Sequence, residues 1–143
     1  MKKYILIIVF ALVACEDSKK KVEIPSGNEW DLEGWKLIWN DEFNKSELNL
    51  DKWSYEIGGH GWGNNELQYY SDADSTAFIE NGKLFLRAEV VPQGAGSPDN
   101  LRYFTSARLR TSGKGDWLYG RIEVKAKVAL GQGIWPAIWM LPT

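Results

Sequence analysis

The sequence holds one cysteine and one histidine. A lone cysteine excludes an internal disulfide. The lone histidine, His60, has no Ser, Cys, Asp or second His at a spacing that suggests a triad or a metal site, and it reads as a loop residue. An excess of positive charge is also absent. With a net charge of -2, the chain has no clustered basic face able to neutralise several phosphates, which argues against nucleic acid as a partner. Internal repeats and low-complexity segments are absent, and no stretch longer than a turn or two shows helical periodicity.

Long hydrophobic runs are missing as well. The apolar stretch at 4–13 falls well short of the roughly 20 residues that a membrane-spanning helix needs. It follows Lys2 and Lys3 and closes on "LVAC", the charged, apolar and small-residue sequence of a secretory signal. "LVAC" resembles the lipobox of bacterial lipoproteins, whose cysteine is acylated. Residues 1–14 are therefore expected to be a lipoprotein signal peptide and Cys15 the lipidated residue, anchoring the protein to a bacterial membrane on its periplasmic or outer face. Residues 15–34, with "EDSKKK" and few large apolar side chains, have the composition of a solvated tether. The folded part is expected at 35–143.

From there the texture changes to short alternating runs. "GKLFLRAEVV" sets Leu84, Leu86, Ala88 and Val90 against Phe85, Arg87, Glu89 and Val91, the period of two that a strand requires. "GRIEVKAKVAL" sets Ile122, Val124, Ala126 and Val128 against Arg121, Glu123, Lys125 and Lys127, one face for a core and one for water. "ENGK", "QGAGSPDN", "SGKGD" and "LGQG" separate such runs with the Gly and Asn breaks that turn antiparallel strands. The expected class is all-β, a sandwich or jelly roll of short strands.

What the chain has in excess is aromatic side chains: 13%, with eight Trp and six Tyr. These serve either a large core or a surface built for stacking. "GWGNNELQYY" offers Trp62, Tyr69 and Tyr70 as planar faces beside Asn64, Asn65, Glu66 and Gln68 as hydrogen-bonding groups, a combination suited to a sugar ring. In "SARLRT", Arg108 and Arg110 share one strand face and Ala107 and Leu109 the other. Either arginine could grip sugar oxygens, or both could decorate a wet sheet. "GIWPAIWML" places Trp135, Ala137, Trp139 and Leu141 on one face and Ile134, Pro136, Ile138 and Met140 on the other. At a strand rise near 3.4 Å the two indoles stand about 13 to 14 Å apart. Pro136 removes a ladder donor there. Glu29, Asp31 and Glu33 in "NEWDLEG" form an acidic triplet at the tether's end, where a solvated cluster is the expected reading.

Taken in order, "WNDEFN", "LDKWSYEIG", "GNNELQYY", "ENGKLFLRA", "TSARLRTSGK", "YGRIEVKAKV" and "GIWPAIWMLP" resemble glycoside hydrolase family 16, and most closely its laminarinase-type endo-1,3-β-glucanases. The resemblance implies a concanavalin A-like β-jelly roll with a cleft across its concave sheet. It also implies retaining hydrolysis of internal 1,3-β- or mixed 1,3-1,4-β-glucosidic bonds, with a β-glucan as partner and a monomeric chain. Carried over by position, Asn65 and Arg108 are expected to bind substrate and Trp135 and Trp139 to form a stacking floor. Glu42 and the carbonyl of Gly82 are expected ligands of a structural calcium ion; no catalytic cofactor is implied. The family's catalytic E-x-D-x-x-E strand follows the G-x-W-P-A-x-W segment and is not in this sequence. The chain is thus expected to be the N-terminal part of such a domain, inactive by itself and incomplete at the C-terminus. A non-catalytic, lectin-like surface lipoprotein is the alternative.

Overall fold

In the computed structural model, which describes residues 35–142, the regular structure is seven short strands and a 3-10 turn at Pro98–Asn100. The chain divides into two units, Met1–Ile38 and Trp39–Thr143. Of the first, residues 35–38 are described and carry no regular structure. The expected signal peptide, Cys15, the tether and the triplet Glu29, Asp31 and Glu33 lie outside the described residues.

Within the second unit, β1 (Ser54–Tyr55) pairs antiparallel with β7 (Leu109–Arg110). A three-stranded sheet runs β2 (Gln68–Tyr70), β6 (Arg102–Ser106), β5 (Glu89–Ala95), with β2 parallel and β5 antiparallel to β6. A bridge between Gly58 and Tyr70, with N–H···O distances of 3.0 and 2.9 Å, ties the segment after β1 to the end of β2. β3 (Ala77–Glu80) and β4 (Lys83–Leu86) form a hairpin whose loop is Asn81–Gly82. Both loop residues have positive φ, 51° and 67°. A two-residue hairpin loop of the I′ kind demands this, and Asn-Gly is the pair that meets the demand at least steric cost.

One expected strand and one expected turn on either side of Pro92 come out differently. "GKLFLRAEVV" is not one strand: it breaks at Arg87–Ala88 into β4 and β5. Beyond the break Glu89 and Val91 are the partly covered residues, while Val90 is exposed. The alternation changes face because β4 pairs with β3 whereas β5 pairs with β6. "QGAGSPDN" is a turn only in its second half, since Gln93–Ala95 extends β5. Pro92 is tolerated because β5 lies at the edge of its sheet, where a missing N–H breaks no inner ladder. The register with β6 slips between Val90 and Ala95, around Pro92 and the positive-φ Gly94.

The runs at 121–128 and 134–141 form no ladder among the described residues. Their alternation survives, yet Ile122, Val124, Val128, Ile138 and Leu141 are each at least half exposed. Alternation states which face a strand would bury. The strand itself needs a neighbour to take its N–H and C=O groups.

The buried centre is small and partly polar: Thr76, Ala77, Thr105 and Ala107. Its hydroxyls are paired. Thr76 Oγ1 donates to the carbonyl of Ala73 at 2.9 Å and lies 3.2 Å from Ser71 Oγ, while Thr105 Oγ1 donates to the carbonyl of Tyr69 at 2.9 Å. These bonds fasten the turn after β2 to β6 without leaving an unsatisfied hydroxyl.

The tryptophan excess divides between the two uses that the composition left open. Trp39, Trp53 and Trp117 pack edge-to-face, with Trp39 5.5 Å from Trp53 and 5.4 Å from Trp117. Asp41 closes this cluster by accepting Trp53 Nε1 at 2.8 Å. Trp62 and Trp139 instead meet at Arg108.

Candidate substrate-binding site

The register of β1 and β7 builds the centre of the site. Ser54 faces Arg110, Tyr55 faces Leu109, and one step further the amide of Glu56 donates to the carbonyl of Arg108 at 2.9 Å. Glu56 and Arg108 are therefore cross-strand neighbours, and Arg110 lies diagonally on the same face. Glu56 takes both arginines: Arg108 Nε donates to Oε2 and Arg110 Nη1 donates to Oε1 at 3.0 Å. Arg108 and Glu56 are mostly covered, with 20% and 17% of their side chains exposed, whereas Arg110 is half exposed. The shared face of Arg108 and Arg110 expected from alternation is present. The carboxylate that organises it was not found from the sequence, because it comes from 52 residues away.

A second carboxylate, Glu66, closes the other side. Its Oε2 accepts from Tyr70 OH at 2.7 Å and from Gln68 Nε2 at 2.9 Å, and its Oε1 lies 4.0 Å from Arg108 Nη1. Gln68 and Tyr70 point to one face of β2 because they are two residues apart. Burial and then the hydrogen bond to Glu66 hold the Tyr70 hydroxyl above the ordinary tyrosine value, so it stays a protonated donor. Asn64 Nδ2 adds a longer bond to Glu66 Oε1 at 3.3 Å.

The aromatic side of the site comes from the glycine-rich loop. Trp62, at φ 49°, anchors its indole N–H on the carbonyl of Gly58 at 3.2 Å. Gly59 shows why a side chain is excluded in this loop: a Cβ there would lie 2.7 Å from the carbonyl oxygen of Asn100 and 2.9 Å from the Tyr69 ring. The guanidinium carbon of Arg108 sits 4.5 Å from the Trp62 ring centre, 5.0 Å from Trp139 and 6.0 Å from Tyr70. His60 packs its ring 4.3 Å from Trp62 and is a loop histidine, as expected.

Of the four expected binding residues, Arg108 and Trp139 are brought together. Asn65 stands on the same loop as Trp62, in left-handed backbone at φ 56°, with an exposed side chain that makes no hydrogen bond among the described residues. Trp135 is 79% exposed and has no aromatic or cationic partner among the described residues. Glu56, Trp62, Glu66 and Tyr70 complete the cluster. The last three were visible in the sequence as part of "GWGNNELQYY".

The expected calcium ligands lie elsewhere. Glu42 is exposed and lines a shallow depression of about 200 Å³ with Asp41, Asn44, Glu47 and Asn49. Gly82, in the β3–β4 turn, has Asn44 Oδ1 as its neighbour, 3.7 Å from where a Cβ would stand. These are hard oxygen donors of the right kind, but calcium takes about 6–8 of them. No group of three or more His, Cys, Asp or Glu able to hold a metal gathers among the described residues. They fit a partial ligand set.

No family model matches the chain. It is 49% identical over 110 residues to a β-glucanase of Rhodothermus marinus, covering 76% of this chain and 36% of that protein. The solved laminarinase of Rhodothermus marinus superposes with a TM-score of 0.52 at 43% identity, over 60% of this chain and 33% of that one. A GH16 enzyme, the non-specific endo-β-1,3(4)-glucanase SCLam, gives a TM-score of 0.54 at 34% identity, over 61% and 35% of the two chains. The chain thus spans about a third of the length of these relatives. Its fold is all-β, of the jelly-roll class of these laminarinases.

Proposed function

The chain belongs to glycoside hydrolase family 16 as the N-terminal part of a laminarinase-type domain, and from that premise we propose that it carries the substrate-gripping side of a retaining endo-β-glucanase cutting internal 1,3-β- or mixed 1,3-1,4-β-glucosidic bonds. The observation that carries this reading is the state of Arg108. A guanidinium has five N–H donors, and only Nε is bound to a protein acceptor within hydrogen-bonding distance. The Nη groups face a partly open site beside three aromatic rings, which is the equipment for holding sugar hydroxyls at an edge and sugar C–H faces on a plane.

Hydrolysis with retention takes two carboxylates about 5 to 5.5 Å apart on either side of the bond. Glu56 and Glu66 have their oxygens committed to Arg108, Arg110, Tyr70 and Gln68. In this reading they shape the site, and the residues around Arg108 bind and orient substrate. The test is a titration of the full chain with soluble 1,3-β-glucan, followed by tryptophan fluorescence. A saturable response that disappears in a Trp135→Ala, Trp139→Ala double variant supports the reading, and an unchanged response in that variant removes the stacking floor.

Export and anchoring belong to the same proposal and rest on the "LVAC" run and Cys15 in the sequence. Membrane fractionation of a Cys15→Ser variant decides it: the variant leaves the membrane fraction if Cys15 is acylated. Calcium binding by Glu42 and the Gly82 carbonyl is supported only by their oxygen chemistry. Added calcium should then raise the melting temperature of the chain, and Glu42→Gln should abolish the rise.

A further inference from the structure

Arg108 is the centre of the proposed binding site, and a guanidinium on a flexible stem binds weakly unless its direction is fixed beforehand. Among the described residues its guanidinium makes one hydrogen bond, to Glu56. Glu56 Oε2 takes the Nε–H of Arg108, the donor nearest the stem, which leaves the outer Nη edge turned away from the acceptor. Glu56 is itself held in two ways. Its backbone N–H is in the ladder with Arg108, and its second oxygen takes Arg110 Nη1 at 3.0 Å. Arg110 is half exposed and outside the aromatic cluster, so its contact with Glu56 is its contribution to the site.

We propose that Glu56 is a positioning residue for glucan binding: it aligns Arg108 between the Trp62 and Trp139 rings and presents the free Nη donors to the sugar, with Arg110 holding Glu56 in place. This rests on the reading of Arg108 as a substrate ligand. Glu56 touches no sugar and acts only through Arg108. Glu66 does not take its place: its Oε1 stands 4.0 Å from Arg108 Nη1, beyond hydrogen-bonding distance, and its Oε2 is held by Tyr70 and Gln68.

A double-mutant cycle tests this on the full chain, with laminaripentaose as the probe and calorimetry or Trp fluorescence as the readout. Glu56→Gln keeps the size and one acceptor but removes the charge, and it should raise Kd about tenfold; Arg110→Gln should raise it about threefold. Glu56→Gln made in an Arg108→Ala background should cause no further loss. A purely structural role gives a different pattern, because the loss on Glu56→Gln would then be the same with and without Arg108, and that result overturns the proposal. So does a Glu56→Gln chain that binds like the unsubstituted one while Arg108→Ala binds poorly, which leaves the site itself standing. If Arg108→Ala binds as well as the unsubstituted chain, the binding-site reading fails and this proposal falls with it. Should Glu56→Gln prove poorly folded by circular dichroism, Arg110→Gln, which alters a half-exposed residue, carries the same cycle.

Discussion

The guanidinium carbon of Arg108 lies 5.0 Å from the ring centre of Trp139, whereas Trp135, four residues earlier, stands 79% exposed. The two indoles of the expected stacking floor are therefore unequal. Trp135 stands without an aromatic or cationic partner among the described residues, while Trp139 lies against Arg108, the cation proposed to grip the sugar. Trp135→Ala is expected to weaken glucan binding by roughly the worth of one stacked ring, about 0.5–1.5 kcal/mol. Trp139→Ala should cost more, because Arg108 loses a cation–π neighbour worth about 0.5–1 kcal/mol at a partly open site. Calorimetric titration of both variants checks the order. Equal losses would mean that the contact with Arg108 contributes nothing to binding.

The β3–β4 hairpin makes a prediction about stability alone. Gly82 turns at φ 67°, where a residue with a Cβ costs roughly 1–2 kcal/mol, and a β-branched one is least tolerated. Gly82→Val should lower the urea midpoint accordingly, with the slope unchanged. Asn81→Ala should cost less than Gly82→Val, since Asn already bears the Cβ that its φ of 51° penalises and loses only its tolerance of that region. A midpoint for Gly82→Val within error of the parent would show that this turn does not hold the hairpin.

These two cases show what the sequence can and cannot disclose. The Asn-Gly turn is local, and its chemistry is complete within four residues, so "ENGK" was readable as it stood. The common face of Arg108 and Arg110 was equally readable, because alternation is a property of one strand. Glu56 was not, since its role depends on a register between segments 52 residues apart and nothing in "WSYEIG" announces its partner. The runs at 121–128 and 134–141 fail for a related reason. Their alternation is real, but pairing is a relation between strands, and among the described residues these runs form no ladder.

Thr76 is fully buried and its hydroxyl donates to the Ala73 carbonyl at 2.9 Å and meets Ser71 Oγ at 3.2 Å. Thr76→Val keeps the shape and removes the hydroxyl. The Ala73 carbonyl keeps the backbone N–H of Thr76, also at 2.9 Å, so it is not orphaned. The expected loss is therefore one net hydrogen bond, about 0.5–1.5 kcal/mol by urea unfolding. Thr76→Ala should lose more, because it also leaves a cavity of methyl size. If Val were as costly as Ala, the hydroxyl would count for everything and the methyl for nothing.

Tyr70 and Tyr55 set a limit at the alkaline end. Burial is the first cause in both; the Glu66 hydrogen bond adds to it for Tyr70, and the nearby charges of Asp74 and Asp72 add to it for Tyr55. Both hydroxyls are held above the ordinary value of 10.0 in the folded chain. The folded state thus keeps protons that the unfolded state releases, and stability must fall as pH rises from the unfolded value through the folded one. Below that window the two states bind the same number of phenolic protons, so the contribution is intact at neutral pH. Urea unfolding at a series of pH values from 8 to about 12 should show a loss that begins near 10 and is smaller in Tyr70→Phe, which has no proton to lose. The same variant lacks the donor to Glu66, so it should start from lower stability at neutral pH and approach the parent as pH rises. Parallel curves for the two proteins across that range would rule out Tyr70 as a source of the alkaline loss.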